Sequence, residues 1–222
     1  NTAINHTTDN PIVNTNARND LWYSSAEVLD EMRAGKPNVF VNSCSNFDNT
    51  QLALQLESLT KAIGQVIHTS AWRTTQLVDG HRTGLPTYLV AKENNGGDGF
   101  ANIAQSMSGL YAEAMALTNS AIGYGVPTSI GIEETFSNVN LTADRLSKVA
   151  DIGYEIYAYE VLHTTQAMDM RKQEGKQMGE GTEQLLKQYR KVVPFVSKDR
   201  FYTPDINNGL RVLKNIEFTQ VK

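Results

Sequence analysis

The chain has 222 residues, 40% hydrophobic, 20% charged and 8% aromatic, which excludes both a disordered chain too poor in apolar residues to collapse and a collagen-like repeat. Twenty Lys and Arg against 24 Asp and Glu leave a formal net charge of −4, so there is no electrostatic footprint for nucleic acid. The single cysteine, Cys44, excludes an internally stapled secreted scaffold. With a polar start at Asn1 to Asn10 and no apolar run of membrane-spanning length, the expectation is a cytoplasmic protein without a membrane partner.

Taken in chain order, residues 1–23 have no sustained periodicity and read as an irregular arm with one apolar step at Pro11, Ile12 and Val13. Ser24 to Ala34 has helical spacing and stops at Gly35 and Pro37, and Val39, Phe40 and Val41 form a brief extended run. From Asn49 to about Gln76, Leu52, Leu56, Leu59, Ile63 and Val66 recur at steps of three and four, predicting a long amphipathic helix. Val78 to Gly99 is a glycine-punctuated connection. Asp98 is a candidate N-cap for a second helix, whose stripe is Ile103, Met107, Leu110, Ala114 and Leu117 and whose end is near Ser120.

After the breaks at Gly123, Gly125 and Pro127, Thr142 is a candidate N-cap for a third helix reaching Arg171. It would bury Leu146, Val149, Ile152, Ile156, Tyr159 and Leu162, with Gly153 marking a close helix contact. A shorter helix over Thr182 to Val192 and a stripe of Ile206, Leu210 and Leu213 complete the tail. The expected architecture is all-α: a long-helix bundle over 49–171 and C-terminal helices over 182–222. The basic residues between Arg171 and Lys191 are interleaved with Glu174, Glu180 and Glu183 and read as a solvated face.

Candidate chemistry is sparse. Asn94 to Phe100 is a glycine-rich loop of the kind that turns backbone N–H groups toward an anion, but it has neither a phosphate-loop Lys nor calcium-loop acids, so turn and cap rank ahead of ligand site. The four histidines, His6, His68, His81 and His163, lack metal-ligand spacing, and no metal is expected. Glu133 and Glu134 sit side by side in an uncharged segment, where mutual repulsion in a dry site raises one pKa and makes a general base. On residue type alone, capping acids in solvent are the more frequent outcome. Phe47, between Asn46 and Asp48, reads by itself as a core aromatic.

Several segments in order then resemble the C-terminal part of the histidine and aromatic amino-acid ammonia-lyases. They are Thr8-Asp9-Asn10-Pro11-Ile12-Val13, Ser45-Asn46-Phe47, Gly84-Leu85-Pro86, Gly99-Phe100 and Pro127-Thr128-Ser129 followed by Glu133. Gln166-Ala167-Met168-Asp169-Met170-Arg171, Val193-Pro194-Phe195, Asp199-Arg200-Phe201 and Pro204-Asp205-Ile206 follow. The resemblance implies the helical, fumarase/aspartase-like fold, with residues 1–222 as the C-terminal segment of one lyase domain. It also implies a tetrameric enzyme that removes ammonia from an amino acid by means of 4-methylidene-imidazol-5-one (MIO), formed from an internal Ala-Ser-Gly.

No Ala-Ser-Gly occurs in this sequence. The resemblance therefore implies a C-terminal piece of a split or cleaved enzyme, an N-terminal partner chain carrying MIO, and a tetramer of the two-chain unit. Carried across by position, Phe47 would line the substrate pocket and Glu133 would project into it. Ile132-Glu133-Glu134-Thr135 stands where many histidine ammonia-lyases have Gln-Glu-Asp-His, which leaves histidine, tyrosine and phenylalanine open as substrates. A 2,3-aminomutase and a noncatalytic helical assembly subunit are the competing readings. The long helices also predict a chain that cannot cover its own apolar faces when isolated.

Overall fold

The structure, a computed structural model, describes residues 12–14, 40–42, 48–131 and 136–216. Strands β1 (Ile12–Asn14) and β2 (Phe40–Asn42) pair antiparallel with Val13 opposite Val41, so the apolar step of the arm is a strand. The helix expected over Ser24 to Ala34 lies outside the described residues. Helices α1 (Thr50–Leu77), α2 (Gly80–Thr83), α3 (Ile103–Leu117), α4 (Val139–Gln173), α5 (Glu180–Tyr189) and α6 (Thr203–Asn215) follow. The chain divides into two compact units, residues 1–55 with 121–139, and 56–120 with 140–222.

In the second unit, α4 serves two apolar cores in succession. Val149, Ile152, Ile156 and Tyr159 close on Ile67 of α1 and on Met107 and Ala114 of α3. Further along, Val161, Leu162, Ala167 and Met170 close on Leu85, Leu89, Phe100, Tyr189 and Val193. At 35 residues and 1.5 Å per residue, α4 is about 52 Å long, long enough to line both. Gly153 lets the α1 and α4 backbones approach: a Cβ there would lie 3.3 Å from Ile67 Cδ1, as its place in the stripe predicts.

Two expectations need correction. The second helix begins at Ile103, with Asn102 before it, rather than after Asp98, because Gly99 takes the left-handed conformation (φ 54°) and interrupts the helix there. The third begins at Val139, so Thr142 is a buried residue of its first turns and no cap. The long connection is also structured: Gly84 closes α2 in the left-handed conformation (φ 67°), and single turns of tighter helix cover Thr87–Leu89 and Lys92–Asn94.

The face of α1 is turned by one residue from its sequence reading. Between 56 and 77 it buries Glu57, Thr60, Gly64, Ile67, Ser70, Ala71 and Thr74, mostly small groups that permit close packing. Leu59 and Val66, expected inside, are half exposed. Among the described residues no helix is long and apolar enough to cross a membrane.

Candidate functional site

Phe47, Glu133 and the neighbouring Glu134 lie outside the described residues, but both flanks of the Glu133 segment are described in the first unit. On one side the chain runs through Ser129 (φ 50°) and Ile130 (φ 59°), left-handed conformations that cost of order 1–3 kcal/mol for residues with a Cβ. Gly131 N–H closes this turn on Thr128 O at 2.9 Å. On the other side Asn138 donates its amide N–H groups to Ala121 O (2.6 Å) and Tyr124 O (2.8 Å), and Gly123 N–H reaches Phe136 O at 3.2 Å. Tyr124, Val126 and Ile130 remain exposed on this loop. Three uncharged side chains in solvent, on a strained and internally braced connection, are features of a binding loop.

In the second unit the glycine-rich loop does turn its N–H groups on an anion, and the anion is Asp199. Its carboxylate accepts from Asp98 N–H (2.8 Å), Gly99 N–H (3.0 Å) and the Asn94 amide (2.6 Å). These bonds, with Asp98 N–H foremost, hold the Asp199 pKa below its ordinary value. Gly99 (φ 54°) sits where a Cβ would strike Tyr88 O and Val90. The loop is a structural clasp, the role ranked first from sequence.

Other short motifs resolve into ties between elements. Gln166, fully buried, donates to Val196 O and accepts from Val196 N–H, both at 3.0 Å. Asp169 pairs with Arg190 at 2.6 Å, and Arg171 donates to Thr83 O. Arg200 pairs with Asp205 at 2.7 Å and donates to Pro194 O and Phe195 O. Gln166, Asp169, Arg171 and Arg200 thus fix the α4 to α6 end of the bundle.

Sequence reasoning missed one charged centre. Glu160, 8% exposed, accepts from Ser70 Oγ (2.6 Å) and from Arg73 Nε and Nη2 (2.6 and 3.0 Å). The available signal was an acid beside Tyr159 and Leu162, inside a buried stripe. Glu160, Arg73, Trp72 and Thr164 line an open groove of about 480 Å³. His163 is buried against Phe100 at 4.6 Å and donates Nδ1–H to Tyr159 O at 2.7 Å. Burial pushes its pKa down to about 4, so it is a neutral core histidine. Among the described residues no group of three or more His, Cys, Asp or Glu is placed to hold a metal ion.

This helical arrangement is the fold of the ammonia-lyases and aminomutases. The ergothioneine-degrading enzyme ergothionase of Treponema denticola superposes with a TM-score of 0.73 at 28% identity, over 78% of this chain and 34% of that one. Phenylalanine aminomutase of Pantoea agglomerans shares the fold with a TM-score of 0.72 at 19% identity, over 81% of this chain and 34% of that one. Residues 1–191 match the aromatic amino acid lyase family, and the chain belongs to it. Histidine ammonia-lyase of Photobacterium profundum is 31% identical over 178 residues, 79% of this chain and 34% of its own length. The chain thus spans about a third of the length of the curated relatives it matches.

Proposed function

We propose that this chain is the C-terminal portion of an ammonia-lyase that eliminates ammonia from histidine or an aromatic amino acid, giving a urocanate- or cinnamate-type product. The observation that carries the reading is the family match over residues 1–191, supported by the 31% identity to a histidine ammonia-lyase. The family depends in general on MIO, which when bound supplies an electrophile that draws charge from the substrate. The residues present do not fit its formation, because the sequence contains no Ala-Ser-Gly. In this proposal the group belongs to an N-terminal partner portion, and the two portions assemble as a tetramer.

The roles proposed for this chain are those of its own side chains. Phe47 packs against the substrate. Glu133 faces the substrate amino group or ring, and Glu134 beside it raises the pKa of one carboxyl when water is excluded. The described flanks of that segment, the left-handed turn at Ser129 and Ile130 before it and the Asn138 hydrogen bonds after it, support the reading of a binding loop.

The test is co-expression with the complementary portion of a family enzyme, followed by ultraviolet detection of product from histidine, phenylalanine and tyrosine. Glu133→Gln is expected to lower turnover at least tenfold with assembly intact. Unchanged turnover removes Glu133 from the mechanism. Absence of product from every substrate favours a noncatalytic assembly subunit. The fold shared with an aminomutase supports a second reading, a 2,3-aminomutase, which would yield a β-amino acid in the same assay.

A further inference from the structure

The loop that clasps Asp199 carries an Asn-Gly pair whose own polar groups the clasp does not use. Asn95 and Gly96 are the central residues of a turn closed by Gly97 N–H on Asn94 O at 2.8 Å. Asn95 lies at φ −56°, ψ 119° and Gly96 at φ 87°, a type II arrangement. Both are exposed. Among the described residues neither the Asn95 carboxamide nor the Gly96 N–H has a hydrogen-bond partner, and a Cβ placed on Gly96 would meet nothing within 4 Å. A side-chain amide thus stands next to an unengaged, unhindered backbone nitrogen.

The other asparagines of this kind are held differently. Asn94 donates to Asp199 at 2.6 Å, and its carboxamide lies over Gly97, where a Cβ would come within 2.4 Å of it. The second Asn-Gly pair, Asn208-Gly209, is inside α6 with Gly209 buried, so the Gly209 N–H belongs to the helical ladder. The Asn208 amide donates to Val192 O at 3.4 Å. Reaction between those two groups requires α6 to open first.

We propose that Asn95 is the site at which the folded chain deamidates spontaneously, and that the conversion loosens the Asp199 clasp. Rotation about the Asn95 Cα–C bond, which an exposed turn with open space at Gly96 permits, brings the Gly96 nitrogen to Asn95 Cγ. A C–N bond forms, the bond from Cγ to its amide nitrogen breaks, and ammonia leaves with the proton of the Gly96 N–H, giving a cyclic imide. Water then attacks one of the two imide carbonyls. Opening at Cγ leaves aspartate, and opening at the main-chain carbonyl leaves isoaspartate, whose backbone runs through Cβ and Cγ. The isoaspartate lengthens the turn by one carbon and so disturbs its closure on Asn94 O. Either product puts a carboxylate next to Asn94, the residue that reaches the Asp199 carboxylate, and like charges repel. None of this depends on the catalytic reading.

The test holds the purified full chain at mildly alkaline pH and follows it by peptide mass spectrometry, with isoaspartate labelled enzymatically. Residue 95 should convert at least tenfold faster than Asn208 in the folded chain, and in urea the two rates should converge. Equal rates in the folded chain, or a difference that persists in urea, overturn the assignment. Amide exchange at Asp98 and Gly99 should then rise in the aged wild type and stay unchanged in aged Asn95→Gln, whose longer side chain closes the ring poorly. Unchanged exchange in the aged wild type overturns the loosening of the clasp.

Discussion

Acidification should unfold the second unit through His163, by an amount that its surroundings set. Its imidazole is buried among Phe100, Leu162 and their neighbours, and its pKa falls from the ordinary 6.5 to about 4 because burial penalises the cation. A histidine with a depressed folded pKa binds fewer protons in the native state than in the unfolded one, so stability is complete above about pH 6.5 and is lost as the pH falls toward 4. The linkage relation gives a loss of about 2 kcal/mol between pH 7 and pH 5, and about 3 kcal/mol by pH 4. The assay is urea unfolding followed by circular dichroism at these pH values, in the wild type and in His163→Leu. The other three histidines are common to both proteins, so the difference in slope isolates His163. Equal slopes would refute the assignment of His163 as a neutral core residue.

Other consequences can be checked in the same preparation. Gln166→Leu strands the N–H and the carbonyl of Val196, at about 1–3 kcal/mol each, so a loss of roughly 2–6 kcal/mol is expected by denaturant titration. Gly153→Leu drives a side chain into Ile67, already 3.3 Å from a single Cβ, and should cost about 1–3 kcal/mol or more, read as a lower melting temperature. Asp199→Ala releases the N–H groups of Asp98 and Gly99, and hydrogen exchange at those two amides should rise while exchange in α4 stays the same.

The helices were legible where periodicity is long. The stripe from Leu52 to Val66 placed α1 within a residue at each end, and Val149, Ile152, Ile156, Tyr159 and Leu162 all face the cores of α4 as their spacing required. What the spacing did not give was the rotation of α1, because its inner face is built from Thr60, Gly64, Ser70, Ala71 and Thr74, which hydropathy ranks below the outer Leu59 and Val66. Asp98 was read as a cap because it has the right side chain, yet what the loop uses is its backbone N–H, donated to Asp199 101 positions away, a pairing that no local window contains. For the proposed site the order of short motifs carried the family. The chemistry assigned to Phe47 and Glu133 rests on that resemblance, since neither position has a local signature beyond its residue type.

The clasp closed by Asp199 constrains how this chain can diverge. Asn94, Asp98, Gly99 and Asp199 share one set of bonds across about a hundred positions of sequence, so drift at residue 199 alone leaves two amide protons and a carboxamide searching for water. Lineages that abandon the aspartate should be found to have rebuilt the glycine segment as well, and an engineer recombining this chain with a homologue should keep residues 94–99 and 199 from the same parent.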